Sequence, residues 1–346
     1  MTEWLQKNLI SKPSRWFYLI AFAFITYAFY HFANIRKVAK LFESIDPLWL
    51  IAALVFQATT YFFAGRTYKF LIEKLCKGVN LAGSELYKLA ILTVFVNHVA
   101  PSGTISGNAF LFRELVRRDA PGGEALSVII MEALTYYIAA IGGIILLTFI
   151  FFLTWKDTIP PLILLVIIVG IIFYVGLFIL ISLIGKRNMI AGIIRRLSRF
   201  TFFKKKLESI GADADELKIL KEVENPIHAL ITHKMVYLRV IVSQAMIMAL
   251  DAFTIVSLLN GFGVHIRLIY ILFGFILTFI VAALPLSPGS LIVFEGSMAY
   301  FYTTLGVPLA AALVVTLLFR ALSFWLPMGV GVFLTKSLFK ERVRKA

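Results

Sequence analysis

Pro101-Ser-Gly-Thr-Ile-Ser-Gly107 interrupts an otherwise continuous succession of apolar runs, and Pro288-Gly-Ser-Leu-Ile292 interrupts it again in the same manner. A second proline follows 20 positions after each, at Pro121 and Pro308, and opens a long apolar run. Near the middle of the first run stands Glu132-Ala-Leu-Thr-Tyr-Tyr137, and in the second Arg320-Ala-Leu-Ser-Phe-Trp325. The spacing reads as two copies of one pattern. Proline and glycine within a membrane helix release backbone groups that must find partners in protein or at a water-lined cavity. Breaks at corresponding places in two halves point to the binding site of a transporter.

Outward from these breaks the chain is apolar. Of its 346 residues 60% are hydrophobic, which lies outside the range of soluble domains. Runs long enough to cross the hydrocarbon core, about 20 residues, fall at 16–33, 48–65, 84–100, 124–153, 160–184, 236–260, 267–284 and 308–335. The interrupted segments 101–119 and 286–305 lie between the third and fourth and between the seventh and eighth of these. The expected fold is an all-α integral membrane protein of about eight transmembrane helices plus two Pro/Gly-broken segments, re-entrant or half-crossing. The run 16–33 follows Lys7, Lys12 and Arg15, but it is too long and aromatic for a cleaved signal and reads as a first helix.

The net charge of +15 sits beside the apolar spans, where topology places it, so it argues for membrane and against nucleic acid. Basic clusters occur at the N-terminus, at Arg66/Lys69/Lys74/Lys77, at Arg113/Arg117/Arg118, through 186–206, and at Lys336/Lys340/Arg342/Arg344/Lys345. If all are cytoplasmic, both termini are inside and each interrupted segment crosses or nearly crosses the membrane. The halves 16–153 and 160–335 then begin on opposite sides, as inverted repeats within a single transmembrane domain, 1–346. Loop 34–47 runs against this scheme, since Arg36, Lys37 and Lys40 must face outward. The region 185–234 reads as a basic, cytoplasmic, amphipathic loop: Ile190, Ile193, Ile194 and Leu197 share one helical face, with Arg195, Arg196 and Arg199 largely off it. Residues 186–206 are expected to lie on anionic inner-leaflet lipid, at about 1 kcal/mol per basic residue.

Charges inside an apolar span are costly and face a cavity or a partner. The candidates are Glu132, Asp251, Glu295 and Arg320, with Arg66, Arg113 and Arg239 nearer the interfaces. Glu132 and Arg320 occupy equivalent positions in the two copies, so they either pair and staple the halves, or Arg320 joins Arg113 in holding a lipid phosphate. Ser102, Gly103, Ser106, Gly107 and Asn108 are expected to leave N–H groups free at a half-helix start, an anion site; Ser287, Gly289 and Ser290 do the same in the second copy. Asn97 and His98 precede the first break, and His98 reads as structural, since no second metal ligand lies at helical spacing. Asp213-Ala-Asp215 follows no buried strand, His228 and His233 fit no metalloprotease signature, and no nucleotide-binding glycine loop is present. Cys76, the only cysteine, rules out an intramolecular disulfide and a cysteine-based metal site. No metal or cofactor is expected.

Leu284-Pro-Leu-Ser-Pro-Gly-Ser-Leu-Ile-Val-Phe-Glu-Gly296, Leu305-Gly-Val-Pro308 and Leu318-Phe-Arg-Ala-Leu-Ser323 together resemble the lysylphosphatidylglycerol synthase transmembrane-region family, which includes the flippase half of the multiple peptide resistance factor. Asn97, Pro101, Gly103, Gly107 and Arg113 match its first-copy pattern, Glu132 matches the acid before its fourth-helix motif, and Arg66 looks like the arginine ending its second helix. Ser290 departs from a common second glycine, and Ala133 from a common arginine. The resemblance implies a flippase of the cell membrane that moves an anionic or aminoacylated phospholipid, or a polyprenyl-phosphate-linked lipid. The substrate-binding candidates are Asn97, Pro101, Ser102, Gly103, Gly107, Arg113, Glu132, Asp251, Pro288, Gly289, Ser290, Glu295 and Arg320. The full synthase adds a soluble lysyl-transfer domain, whereas this chain ends at Ala346, so transport rather than lysine transfer is expected. The alternatives are an integral membrane transferase and a non-transporting envelope scaffold. A separate synthase or glycosyltransferase is the expected partner, and a homo-oligomer is compatible with the sequence.

Overall fold

The computed structural model describes residues 45–99, 105–156, 158–183, 226–284, 290 and 292–345, with backbone alone for 105 and 336–345. The run 16–33, most of loop 34–47, the basic stretch 186–206, and Pro101, Ser102, Gly103, Pro288 and Gly289 lie outside the described residues. Among the described residues all regular structure is helical. The order is α1 Pro47–Leu75, α2 Gly83–Val99, α3 Ile105–Val116, α4 Gly122–Thr154, α5 Pro161–Ser182, α6 Pro226–Thr232, α7 Lys234–Gly261, α8 Leu268–Ala283, α9 Val293–Thr304 and α10 Leu309–Arg320, then a π turn, Ala321–Trp325, and α11 Leu326–Lys345. The chain is an all-α integral membrane protein: α1, α4, α5, α7 and the stretch Leu309–Thr335 are each long and apolar enough to cross a bilayer.

Prolines set several of the starts. Pro47 opens α1 behind Asp46, whose carboxylate accepts the Leu48 N–H at 2.9 Å, and Pro121, Pro160 and Pro308 stand just before α4, α5 and α10. Proline suits these places because its fixed φ fits a helix entry and it lacks an N–H that would go unbonded there.

The two interrupted segments belong to antiparallel hairpins. In the first, Arg118, just beyond α3, pairs with Glu85 in the first turn of α2 at 3.3 Å, while Asn97 near the end of α2 accepts the Gly107 N–H near the start of α3. In the second, the Tyr302 hydroxyl near the end of α9 donates to the Ile271 carbonyl near the start of α8 at 2.9 Å. There Tyr302 and Leu305 also close on Gly274, where a β-carbon would lie 3.0 Å from the Tyr302 ring. Helices α3 and α9, 12 residues each, rise about 18 Å, well short of the about 30 Å hydrocarbon core. Each is too short to cross the core as a single straight helix, and each packs against the helix before it.

The hairpins open toward opposite ends of the bundle. The first opens where α1 ends and α4 begins, and Leu75, Cys76, Val79, Leu86, Leu115, Ala120 and Ala125 share one buried cluster there. The second opens where α4 and α7 end and α1 begins: the Asp46 N–H meets the Gly261 carbonyl at 3.0 Å, and the Tyr270 hydroxyl meets the Thr154 carbonyl at 3.3 Å. Antiparallel α1 and α7 form the most extensive helix pair and run between the hairpins. Around them α1 packs on α2 and α4, α2 on α3 and α11, and α3 on α4; correspondingly α7 packs on α8 and α10, α8 on α9 and α4, and α9 on α10.

Candidate functional site

Arg320 closes α10 in the middle of a long apolar stretch, and only 9% of it is exposed. Its Nε donates to Glu295 Oε1 at 2.6 Å, joining it to the first turn of α9. The rings of Phe294 and Phe324 lie 4.7 and 4.6 Å from the guanidinium carbon, close enough for cation–π attraction in a desolvated setting. The contact is single, not a bidentate fork. Arg320 Nη2 and Glu295 Oε2 are buried, and neither has a hydrogen-bond partner among the described residues. Buried ion pairs are favourable only when their remaining donors and acceptors are also satisfied, and among the described residues Nη2 and Oε2 of this pair are not.

The first hairpin reaches the same place. The His98 ring, one residue from the end of α2, stacks on Phe324 at 4.3 Å. On α11, Gly331 lies so close to the ring and β-carbon of Phe95 that no side chain fits there. The tips of both hairpins thus converge on the helix that carries Arg320, one through His98 and Phe324, the other through Glu295.

Several expected contacts are made differently. The pairing of Glu132 with Arg320 is replaced by Glu295–Arg320, because α9 packs directly on α10. Glu132 is half-buried and faces the Tyr68 hydroxyl, which also neighbours Thr93. The Gly107 N–H is not left free for an anion: Asn97 Oδ1 accepts it at 2.6 Å, and the Ser106 hydroxyl donates to the Val96 carbonyl at 3.2 Å. Asn97 acts as a helix cap supplied by a neighbouring helix. Arg113 is exposed in the last turn of α3, separated by most of that helix from the tip near Arg320. Arg66 and Arg239 are exposed as well, with the Arg66 guanidinium over Phe62 and Phe70 at 5.7 and 5.3 Å.

Asp251, half-buried on α7, accepts from Gln57 Nε2 on α1 at 3.1 Å, with Tyr61 and Tyr136 beside it. Gln57, Tyr61 and Tyr68 were not among the sequence candidates. Gln57 was the findable one, as an amide within the run 48–65. Among the described residues no three His, Cys, Asp or Glu side chains gather as a metal site would need.

Residues 16–331 match the family described as the lysylphosphatidylglycerol synthase TM region. The chain belongs to this family. Similar chains include a UPF0104 membrane protein of Methanothermobacter thermautotrophicus, 24% identical over 306 residues covering 86% of this chain and 87% of that one. Another is a UPF0104 membrane protein of Methanocaldococcus jannaschii, 22% identical over 340 residues covering 94% and 95%. The match to the synthase TM region spans both hairpins and the Arg320 pair. Ser290 has φ +54°, backbone that glycine adopts freely and serine does not. Ile292, at φ +72°, adds strain beside it.

Proposed function

We propose that this member of the lysylphosphatidylglycerol synthase TM region family moves an anionic or aminoacylated phospholipid, or a polyprenyl-phosphate-linked lipid, between the two leaflets of the cell membrane, with Arg320 receiving the phosphate. The observation that carries this reading is the convergence of two hairpins, open to opposite ends, on a buried ion pair whose Nη2 and Oε2 have no hydrogen-bond partner among the described residues. A phosphate oxygen satisfies the Nη2 donor, and an ammonium on the headgroup would suit Glu295 Oε2.

Alternating access around such a site asks for halves of opposite orientation. The reading of 16–153 and 160–335 as inverted repeats is supported by the packing, which keeps the same neighbours when α1 exchanges with α7, α2 with α8, α3 with α9 and α4 with the α10–α11 helix. Lys69, Lys74, Lys77, Arg113, Arg117 and Arg118 gather where the first hairpin opens, which supports a cytoplasmic assignment for that end and for both termini. On the same scheme the basic loop 185–234 lies on the inner leaflet, and a separate synthase or glycosyltransferase supplies the lipid.

The test is leaflet exchange of fluorescent phosphatidylglycerol in proteoliposomes, read by chemical quenching of the outer leaflet, together with mass spectrometry of lipid retained on the purified protein. Arg320→Met should remain folded, lose exchange and lose co-purifying anionic lipid. Exchange at the wild-type rate in that variant would sink the assignment.

A further inference from the structure

Glu132 and Asp251 take no part in the Arg320 pair. Glu132 stands ten residues into the 33-residue α4 and Asp251 ten residues before the end of the 28-residue α7, each about 15 Å along its helix and so near the middle of a span. Neither is in an ion pair among the described residues. Among the described residues the groups that face them are neutral. Gln57 and Tyr61 of α1 and Tyr136 of α4 stand at Asp251, and Tyr68 of α1, beside Thr93 of α2, stands at Glu132.

Among the described residues the charged groups on the neighbouring helices are engaged or distant. Arg320 on α10, which packs against α7, is held by Glu295. On α3, Glu114 pairs with Arg117 and Arg118 at the open end of the hairpin, and Arg113 is exposed there. Lys234 and Arg239 are exposed near the start of α7. From α8 the group facing Tyr136 is the Phe279 ring, at 5.9 Å.

Tyr136 lies one turn from Glu132 on the same face of α4, and its side chain neighbours Asp251 and Tyr174 of α5. Gln57, only 4% exposed, uses Nε2 on Asp251 while its Oε1 has no hydrogen-bond partner among the described residues.

An uncompensated carboxylate at this depth is costly, and the cost is removed by a bound cation. Calcium needs six or more oxygen ligands and magnesium a near-ideal octahedron, which one carboxylate, one amide and two phenols do not provide. We propose that Asp251 and Glu132 are proton-binding carboxyl groups that couple lipid movement to the proton gradient; the coupling, unlike the proton binding, rests on the transport reading above.

Two measurements on the full chain in lipid nanodiscs test the proton site. Dicyclohexylcarbodiimide, which reacts with protonated carboxyl groups in apolar surroundings, should modify the peptides holding Asp251 and Glu132 at neutral pH, with the yield falling as pH rises. The infrared carbonyl band of a protonated carboxyl, which needs no reagent access, should diminish in Asp251→Asn and again when Glu132→Gln is added. Absence of that band at neutral pH, or protection from the carbodiimide by Na+ at fixed pH, overturns the proposal. In proteoliposomes carrying fluorescent phosphatidylglycerol, an imposed pH gradient should drive exchange in the wild type and not in the double variant. The two readings fail separately: retained exchange in Arg320→Met sinks the transport site and leaves the carboxyl band untouched, whereas loss of the band spares the Arg320 assignment.

Discussion

Asn97 and Gly107 close the tip of the first hairpin on one another: the Asn97 carboxamide oxygen accepts the Gly107 N–H at 2.6 Å, and a β-carbon at Gly107 would sit 2.5 Å from the carboxamide. Gly107→Ala should therefore destabilise by about 1–3 kcal/mol through overpacking. Asn97→Ala should cost about the same through the N–H it leaves unbonded. The double variant should cost less than the sum, because the group that clashes is gone. Thermal unfolding of the detergent-solubilised protein reads all three, and strict additivity would show that the two residues do not act on each other.

The two ion pairs of the hairpins should behave in opposite ways. Removing one partner of the buried Arg320–Glu295 pair, by Arg320→Met or Glu295→Gln, should cost about 3–5 kcal/mol, and replacing both by apolar side chains should restore most of the loss. Glu85 and Arg118 are 43% and 30% exposed, so Glu85→Gln, which leaves Arg118 its Glu114 partner, should cost at most about 1 kcal/mol. Denaturation curves of the four proteins separate these outcomes; comparable losses at both pairs would contradict the burial argument.

How much of this was readable beforehand depended on distance along the chain. The broken segments were legible because proline, glycine and hydropathy act locally: the run 84–100 becomes Gly83–Val99 and 124–153 becomes Gly122–Thr154. The folding of each broken segment back against the helix before it was not, since it is fixed by contacts such as Glu85–Arg118 and Tyr302–Ile271, 33 and 31 residues apart. Arg320 announced itself as a charge in an apolar run, but its partner did not. Correspondence between two copies relates positions in a pattern, whereas an ion pair forms between helices that touch, and α10 touches α9.

Cys76 provides a silent background for topology. It is fully buried, and burial, with a smaller contribution from the Glu124 charge, pushes its thiol up to about 12, so little thiolate exists at neutral pH. The wild type should not react with maleimide until unfolded. In that background, exposed Asn80→Cys and Lys156→Cys should each label from one side of a sealed vesicle only, and from opposite sides. Labelling of both from the same side would contradict the two-ended arrangement.

Gly331 lies against Phe95 with no space for a side chain. Gly331→Ala should push α11 off α2 and lower the melting temperature, and Phe95→Ala in the same chain should recover part of that loss. A fall equal to the sum of the two single variants would show that this contact does not govern the packing of the two helices.

The π turn at Ala321–Trp325, where the Leu326 N–H reaches back five residues to the Ala321 carbonyl, changes what one helix can address. In a uniform α-helix Arg320 and Gly331 would lie within about 20° of each other around the axis. One extra residue in the turn swings them about 80° apart. The bearing toward Glu295 and the bearing toward Phe95 thereby become separate directions on a single axle, so one helix serves both hairpins without setting their contacts on the same side.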